Sequence, residues 1–301
     1  MRGESRMAAN PGSGGRANEV EHFGGVGEEV ARAAGRYLME HFRGSFSVAR
    51  KGEIDLVTEI DIAAETLIVS RIKESFPGHV VVAEEMYADA VHGDCTWIID
   101  PLDGTTNYAH GFPIFSVSLA LEMAGNLEWG AVYNPNLDEM FVATRLRGAR
   151  LNGKPMRVSA TESLGSSLLA TGFPYDIRTS DQNNLDYFHD FALRAQGVRR
   201  SGSAALDLCY VAAGRLDGFW ELSLNPWDCA AGYLMVREAG GSVTNWRGEF
   251  GSIDERECLA TNGRIHESMM AVLQETTSRK LAAGWAGPAV VPGRQPKYRI
   301  P

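Results

Sequence analysis

Residues 97–108 are WIIDPLDGTTNY, an apolar strand pattern followed by a short acidic turn. The apolar run favours a buried strand that ends at Asp100, and Pro101 disfavours the α conformation at the residue before it. The chain should therefore leave the strand as a turn, with Asp103 three residues after Asp100. These two carboxylates and the Leu102 carbonyl between them can face one small volume. Ligation by oxygen atoms alone is what hard cations such as Mg²⁺ prefer.

The residues after Asp103 have the composition of a phosphate-binding loop. Gly104 lets a ligand approach the backbone closely, and the amides of Gly104, Thr105 and Thr106 can cradle a phosphate group. An ordinary surface turn has the same composition, so this segment alone leaves both interpretations equally open.

Two more acidic residues at the ends of predicted elements favour the metal-binding interpretation. Glu84, followed by Glu85, ends the apolar run 80–83. Asp228 lies in the first turn of a helix that Pro226 is suited to begin, where an acid also stabilises the helix dipole. If these groups converge on the acidic turn, repulsion raises their pKa values unless cations fill the site. A filled site would be a two-metal centre that activates water for an in-line displacement.

Outward from this turn, the hydrophobic pattern changes along the chain. Before about residue 155 it predicts two helices, at 28–42 and 61–76, and then strands of a mainly antiparallel sheet. After that point strands and helices alternate, so we predict an α/β (α+β) fold with two lobes. The predicted divisions are a disordered leader, an N-terminal α+β lobe with the metal-binding motifs, a C-terminal α/β lobe and an extended tail: residues 1–20, 21–155, 156–277 and 278–301.

Composition is that of an ordinary globular protein. Of the 301 residues 44% are hydrophobic, and the net charge of −9 argues against a nucleic-acid-binding protein, because such proteins carry a basic surplus. Neither a membrane-spanning apolar run nor a signal-peptide pattern is present in the sequence. The four cysteines form no CxxC pair and no zinc pattern. We therefore expect reduced thiols in a cytoplasmic protein.

Four separated motifs resemble those of the inositol monophosphatase family, over about residues 25–275. They are KGEIDLVTEID, EE, WIIDPLDGTTNY and PWDCAAGYLMVREAGGSVT, at residues 51–61, 84–85, 97–108 and 226–244. The resemblance implies a layered αβαβα sandwich of the sugar-phosphatase type. It also implies a homodimer and inhibition by lithium.

The resemblance assigns roles to individual residues. Two or three Mg²⁺ ions are implied, the third and weakest one beside Glu84. The implied ligands of the first two ions are Glu84, Asp100, the Leu102 carbonyl, Asp103 and Asp228. Thr105, oriented by Asp61, and Glu84 would position the attacking water, and Glu221 would hydrogen-bond substrate hydroxyls. The implied substrate contacts are Lys51, Gly104, Thr105, Thr106, Arg199, Gly202, Ser203, Ala204, Glu221 and Asp228.

The activity implied by the resemblance is Mg²⁺-dependent hydrolysis of a small phosphate monoester, inositol monophosphate, by an inositol-1(or 4)-monophosphatase. The alternatives are a histidinol-phosphatase or a fructose-1,6-bisphosphatase of the same superfamily, or a regulatory binding partner of the transcription machinery. A haloacid-dehalogenase phosphatase needs carboxylates two residues apart, one of them a covalent nucleophile, whereas Asp100 and Asp103 are three apart. The sequence has no GxSxG motif of a serine hydrolase.

Overall fold

The computed structural model describes residues 13–51, 56–86, 93–250 and 252–285. The helices in these ranges are α1 Ser13–His41, α2 Glu59–Ser75, α3 Thr105–Ala109, α4 Leu185–Ala192, α5 Ala204–Ala212, α6 Pro226–Glu238 and α7 His266–Ala282. The strands are β1 Val48–Arg50, β2 Leu56–Thr58, β3 Val80–Ala83, β4 Cys95–Asp103, β5 Ser116–Met123, β6 Asn126–Asn134, β7 Glu139–Thr144, β8 Gly148–Leu151, β9 Lys154–Pro155, β10 Leu168–Thr171, β11 Gly197–Arg199, β12 Gly218–Leu222, β13 Ser242–Thr244 and β14 Glu257–Thr261.

Helices and sheets alternate in five layers. The helices α1 and α2 cover one face of a seven-stranded sheet with the order β3-β4-β5-β6-β7-β8-β9. The helices α5 and α6 lie between this sheet and a five-stranded sheet with the order β11-β10-β12-β14-β13. The helices α4 and α7 cover the outer face of the second sheet. This is the αβαβα sandwich that the family resemblance implies.

The two sheets differ in strand direction. In the first sheet only β3 and β4 run parallel, and the remaining neighbours are antiparallel, as predicted. In the second sheet β10 runs parallel to β11 and to β12, while β14 is antiparallel to β12 and β13. The carboxyl ends of the parallel strands are the places where open sheets of this kind form ligand sites.

The central strands are buried on both faces, which explains their continuous apolar runs. In β4, Trp97 and Ile99 pack into the cluster under α1 and α2. The intervening Ile98, with Ala120 of β5, packs into the cluster around α5 and α6. The helices α5 and α6 pack against both sheets. The cluster around them therefore joins residues from both halves of the chain. The division into two lobes stays a prediction.

The first helix begins earlier than predicted. It starts at Ser13, so residues 13–20 of the predicted disordered leader are helical, and Val20 is buried. Gly24 and Gly27 allow this extension, because a Cβ at either position would lie 2.5 or 2.4 Å from the Trp129 indole. The glycines therefore let the helix lie directly on the sheet, and a pattern search for apolar side chains does not detect such a contact.

The last helix also extends beyond the predicted boundary. It ends at Ala282, inside the segment 278–301 that composition predicts to be an extended tail, and residues 286–301 lie outside the described ranges. Among the helices of the described residues, none has both the length and the apolar character needed to cross a bilayer.

Candidate active site

A β-bulge in β4 places Asp100 and Asp103 on one face of the sheet. Asp100 pairs with Ser118 and Asp103 with Ser116, so three residues of β4 oppose two of β5. Side chains three apart on a regular strand point to opposite faces, and one extra residue reverses that relation. The sequence predicted a turn after Asp100, whereas the strand continues through Pro101 to Asp103. Both carboxylates consequently face the middle helices.

Asp103 is bound to the start of α5. Its Oδ2 accepts hydrogen bonds from Ser203 Oγ at 2.5 Å and from the Ala205 amide at 2.9 Å. The Ala204 amide lies 3.3 Å from Oδ1. These bonds satisfy amides at the first turn of the helix, which otherwise have no partner within it. Asp103 therefore fixes the sheet to α5.

Asp228 occupies the first turn of α6 and caps it. The Asn225 amide donates to Asp228 Oδ2 at 2.7 Å, as one half of a capping box. The structural interpretation of Asp228 as an acid at a helix start is thus correct, and the same residue also lines the cavity described below. Capping uses Oδ2, and a carboxylate has acceptor positions left over for a second partner.

Glu84 follows directly after β3, the strand parallel to β4. Its Oε1 accepts from Lys51 Nζ at 3.0 Å, and Lys51 also contacts Glu85 Oε1 at 2.5 Å. The turn that holds Glu84 is anchored by Glu65 of α2, whose two carboxylate oxygens accept from the amides of Glu85 and Met86, each at 2.8 Å.

Glu65 was not among the predicted site residues. Its position four residues after Asp61 puts both acids on the buried face of one helix, and this spacing was the available signal.

Thr105 and Asp61 are joined as predicted. Thr105 Oγ1 lies 2.8 Å from Asp61 Oδ1 and 3.1 Å from the Leu102 carbonyl oxygen. Asp61 is itself held by Thr58, whose amide donates to Asp61 Oδ2 at 2.9 Å within the capping box of α2. Gly104 has a φ of 99°, and a Cβ there would meet the Ile114 carbonyl oxygen at 3.0 Å. Glycine is therefore required between the bulge and α3.

Most of the predicted site residues line one cavity of about 1000 Å³. The predicted residues that line it are Glu84, Asp100, Leu102, Asp103, Gly104, Thr105, Thr106, Gly202, Ser203, Ala204, Glu221 and Asp228. Asp61 and Lys51 do not line the cavity but contact residues that do. The acidic groups of several separate chain segments thus line a single cavity.

Arg199, like Lys51, is a predicted substrate contact that does not line the cavity. It is exposed at the end of β11, and its guanidinium donates to the neighbouring Val198 carbonyl. The next residue, Arg200, lines the cavity. Successive residues of an extended chain point to opposite sides, so a shift of one position exchanges a surface side chain for a cavity side chain. Arg200 is the first residue after a parallel strand, and that placement would have identified it.

The wall formed by the second sheet also includes residues that the sequence did not indicate. Asp207 of α5 lies under the cavity, and its carboxylate accepts from Ser201 Oγ at 2.6 Å. Glu221 packs so closely against Gly172 that a Cβ there would lie 2.0 Å from the carboxylate. Phe173 continues the wall after Gly172. Gly172 is the first residue after β10, and Glu221 is close to the carboxyl end of β12. The ends of parallel strands build this wall.

Burial and mutual repulsion raise the pKa values of the acidic cluster. Burial, together with the charges of Asp228 and Glu85 and opposed by Lys51, raises the pKa of Glu84 to about 8. Burial first, and then the charges of Glu84, Asp103 and Asp228, raise the pKa of Asp100 well above its ordinary value. Burial also raises the pKa of Asp228 to about 7. The cluster therefore resists full ionisation unless positive charge is added.

The donor set of the cluster fits Mg²⁺. It consists of carboxylates and the Leu102 carbonyl, and Mg²⁺ prefers hard oxygen ligands of this kind. Within the described ranges, no three acidic, histidine or cysteine side chains already enclose a space for an ion. Two of the carboxylates are held by other partners instead, Glu84 by Lys51 and Asp103 by the start of α5. Ion binding therefore requires these carboxylates to exchange their present partners for the ion.

The sequence as a whole matches the inositol monophosphatase family, over residues 19–278. An inositol-1-monophosphatase of Synechocystis sp. is 45% identical over 254 residues, which are 83% of this chain and 88% of that protein. The protein named Nus factor SuhB of Pseudomonas aeruginosa is 41% identical over 252 residues, with coverages of 81% and 93%. The chain belongs to the inositol monophosphatase family. It is thus a member of a family of phosphatases, which are generally Mg²⁺-dependent.

Solved structures of the inositol monophosphatase family have the same fold. The structure of an inositol monophosphatase from Anabaena (Nostoc) sp. superimposes with a TM-score of 0.78 at 41% identity, covering 85% of this chain and 97% of that one. A second structure, of Thermotoga maritima, gives a TM-score of 0.78 at 38% identity, with coverages of 84% and 97%. The sandwich described above is therefore the inositol monophosphatase fold.

Proposed function

We propose that the protein is a Mg²⁺-dependent phosphomonoesterase that hydrolyses inositol monophosphate, as an inositol-1(or 4)-monophosphatase does. The observation that carries this proposal is the convergence of Glu84, Asp100, Asp103 and Asp228 on one cavity beside Gly104 and Thr105. An acidic cavity repels a phosphate monoester by itself. Bound cations reverse that electrostatic effect, so the acidic cluster and an anionic substrate are compatible only together with metal ions.

Glu84, Asp100, the Leu102 carbonyl, Asp103 and Asp228 would hold two or three Mg²⁺ ions. When bound, Mg²⁺ would offset the charge of the carboxylates, lower the pKa of a water molecule and stabilise the leaving oxygen. The carboxylates alone cannot stabilise the negative charge of a phosphoryl group.

Thr105 would orient the attacking water. Its single hydroxyl proton is directed at Asp61 Oδ1, 2.8 Å away, or at the Leu102 carbonyl, 3.1 Å away. The lone pairs of the Thr105 oxygen are then free to accept a hydrogen bond from a water molecule in the cavity. Asp61 is held in place by Thr58 and so fixes the direction of this hydrogen bond. Glu84 would accept from the same water, and the phosphate would lie against the amides of Gly104, Thr105 and Thr106.

Glu221 would recognise hydroxyl groups of the alcohol part. It lies at the wall opposite the first sheet, packed on Gly172. The Lys51 side chain, which already bridges Glu84 and Glu85, would remain at the entrance and limit the negative charge there.

A phosphate-release assay tests the proposal. The wild-type protein is given inositol 1-phosphate, fructose 1,6-bisphosphate, histidinol phosphate or adenosine 3′,5′-bisphosphate, with millimolar Mg²⁺ or with EDTA. We expect turnover of inositol 1-phosphate with Mg²⁺ alone, and loss of it in Asp100→Asn. Asp138→Asn is the matched control, because Asp138 lies in an exposed turn outside the cavity. A different preferred ester would replace inositol phosphate by one of the alternatives, and turnover in EDTA would refute the metal-dependent mechanism.

A second candidate function is regulatory binding to the transcription machinery. Relatives at about 40% identity bear the name Nus factor SuhB, and this supports it. Binding to a purified transcription complex by wild type and by Asp100→Asn separates the two functions. Equal binding would show that the interaction does not depend on the acidic cluster.

Within the main proposal, the protein acts in the cytoplasm as a homodimer and is inhibited by lithium. Light scattering tests the dimer, and a lithium titration of the activity tests the inhibition.

A further inference from the structure

Ser223 has a backbone conformation that L side chains rarely adopt. Its φ is 68°, in the left-handed region. The other non-glycine residues with positive φ in the described ranges lie in tight turns after helices or between strands: Arg43, Ala124, Asp138, Leu146 and Asn152. Ser223 instead lies between β12 and α6, and of this group it is the one that lines the cavity. Such an outlier at a site motivates a hypothesis of function.

Arg256 holds Ser223 in this conformation from both sides. The Ser223 amide donates to the Arg256 carbonyl at 2.6 Å, and the Arg256 guanidinium donates to the Ser223 carbonyl at 3.1 Å. These bonds continue the antiparallel pairing of β12 with β14 by one residue, after the pair of Leu222 with Glu257. The conformation is therefore built into the edge of the second sheet rather than into a free loop.

Ser223 lines the same cavity as Glu221. Alternation along β12 directs Phe219 and Glu221 toward the middle layer, while Trp220 and Leu222 pack into the outer cluster. Within the described residues, the Ser223 hydroxyl has no hydrogen-bond partner, although the residue is partly buried. An open hydroxyl thus lies two residues from the acid proposed to bind substrate hydroxyls.

We propose that Ser223 is a specificity-determining residue that hydrogen-bonds a hydroxyl group on the alcohol part of the substrate. This inference rests on the proposed phosphatase function. Together with Glu221, Ser223 would favour phosphate esters of polyhydroxylated rings over esters of the same size without free hydroxyls. A site built to hydrogen-bond a hydroxyl discriminates against a ligand that lacks it, because its polar groups are then left unpaired. Glycine would adopt the backbone conformation without strain, so the serine hydroxyl at this position calls for a role.

The test compares Ser223→Ala with Ser223→Gly on two esters, inositol 1-phosphate and cyclohexyl phosphate. Alanine removes the hydroxyl and keeps the backbone strain, whereas glycine removes both. We expect the ratio of kcat/KM for the two esters to fall roughly 3- to 10-fold in both variants, mainly through KM for inositol 1-phosphate. The melting temperature should rise in the glycine variant and not in the alanine variant. Ala124→Gly is the matched control, because it relieves the same strain in an exposed turn between β5 and β6.

The outcomes separate the two proposals. If the ratio is unchanged in both variants, or falls only in the one with an altered melting temperature, the Ser223 role is refuted while the phosphatase function stands. A wild-type kcat/KM ratio near one for inositol 1-phosphate and cyclohexyl phosphate refutes the Ser223 role as well. If the wild-type protein hydrolyses neither ester with Mg²⁺, the phosphatase function is refuted, and the Ser223 role with it.

Discussion

Removing divalent cations at pH 8 should lower the melting temperature of the protein, and Mg²⁺ should restore it. Asp228 is suited to measure this effect. Burial, together with the charge of Asp103, raises its pKa from 3.8 to about 7. Between about pH 4 and pH 7 the folded protein therefore binds a proton that the unfolded chain has released, so its stability falls as the pH rises through this window.

The magnitude follows from the two pKa values. The difference between 3.8 and about 7 corresponds to about 4 kcal/mol. Because protonation of one carboxyl group also relieves its neighbours, we assign about half of this, ~2 kcal/mol, to Asp228 alone. In a chain of this size that is a change of about 4 °C in melting temperature.

The assay is thermal unfolding of wild type and Asp228→Asn at pH 5.5 and pH 8, each with EDTA or with Mg²⁺. Asparagine keeps a carbonyl oxygen that can accept from the Asn225 amide, so the helix cap is preserved. The interval from pH 5.5 to about pH 7 is a little under half of the interval from 3.8 to about 7, so in EDTA the wild type should lose about 2 °C more than the variant between the two pH values. At pH 8, Mg²⁺ should stabilise the wild type more than the variant. Equal pH shifts in the two proteins, or an equal response to Mg²⁺, would refute the electrostatic account of the site.

Three further substitutions test individual contacts. Thr105→Val should reduce kcat at least about 100-fold, because the water loses the hydroxyl that orients it. Thr105→Ser keeps the hydrogen bond to Asp61 and should retain most of the activity. Similar rates in the two variants would contradict this role of Thr105. Glu65→Gln keeps only one of the two oxygen acceptors that hold the turn after β3. We therefore expect half-maximal activity at a higher Mg²⁺ concentration in a Mg²⁺ titration. An unchanged titration curve would argue against this role of Glu65. Arg200→Ala should alter KM for inositol 1-phosphate, whereas Arg199→Ala should not, and the reverse pattern would restore the original assignment.

The acidic cluster was predictable because its members lie at the ends of apolar runs. Glu84 comes directly after the apolar strand β3, Asp100 follows the apolar run 97–99 within β4, and Asp228 lies where Pro226 starts a helix. Those local signals depend only on neighbours in the sequence. The bulge that turns Asp100 and Asp103 to the same face of the sheet was not predictable. It depends on the pairing of β4 with Ser116 and Ser118, which are distant in the sequence.

Other parts of the site depend on contacts between distant segments and so were missed. Arg199 was assigned from the family resemblance, which does not show which of two adjacent side chains faces the cavity. The close approach of Glu221 to Gly172 requires the parallel pairing of β10 and β12, and the left-handed conformation of Ser223 requires Arg256. None of these contacts is encoded by a periodic pattern. The early start of α1 likewise depends on Trp129, more than a hundred residues away.

The middle layer of α5 and α6 determines what happens if the chain is cut in two. Limited proteolysis near residue 155, where the first sheet ends, would separate the bulge with its two aspartates from both helices. Neither fragment would contain a complete set of ligands, and each would expose an apolar surface. Mixing the fragments with Mg²⁺ should therefore favour their reassembly, so that the cation joins two pieces of polypeptide as well as taking part in the chemistry.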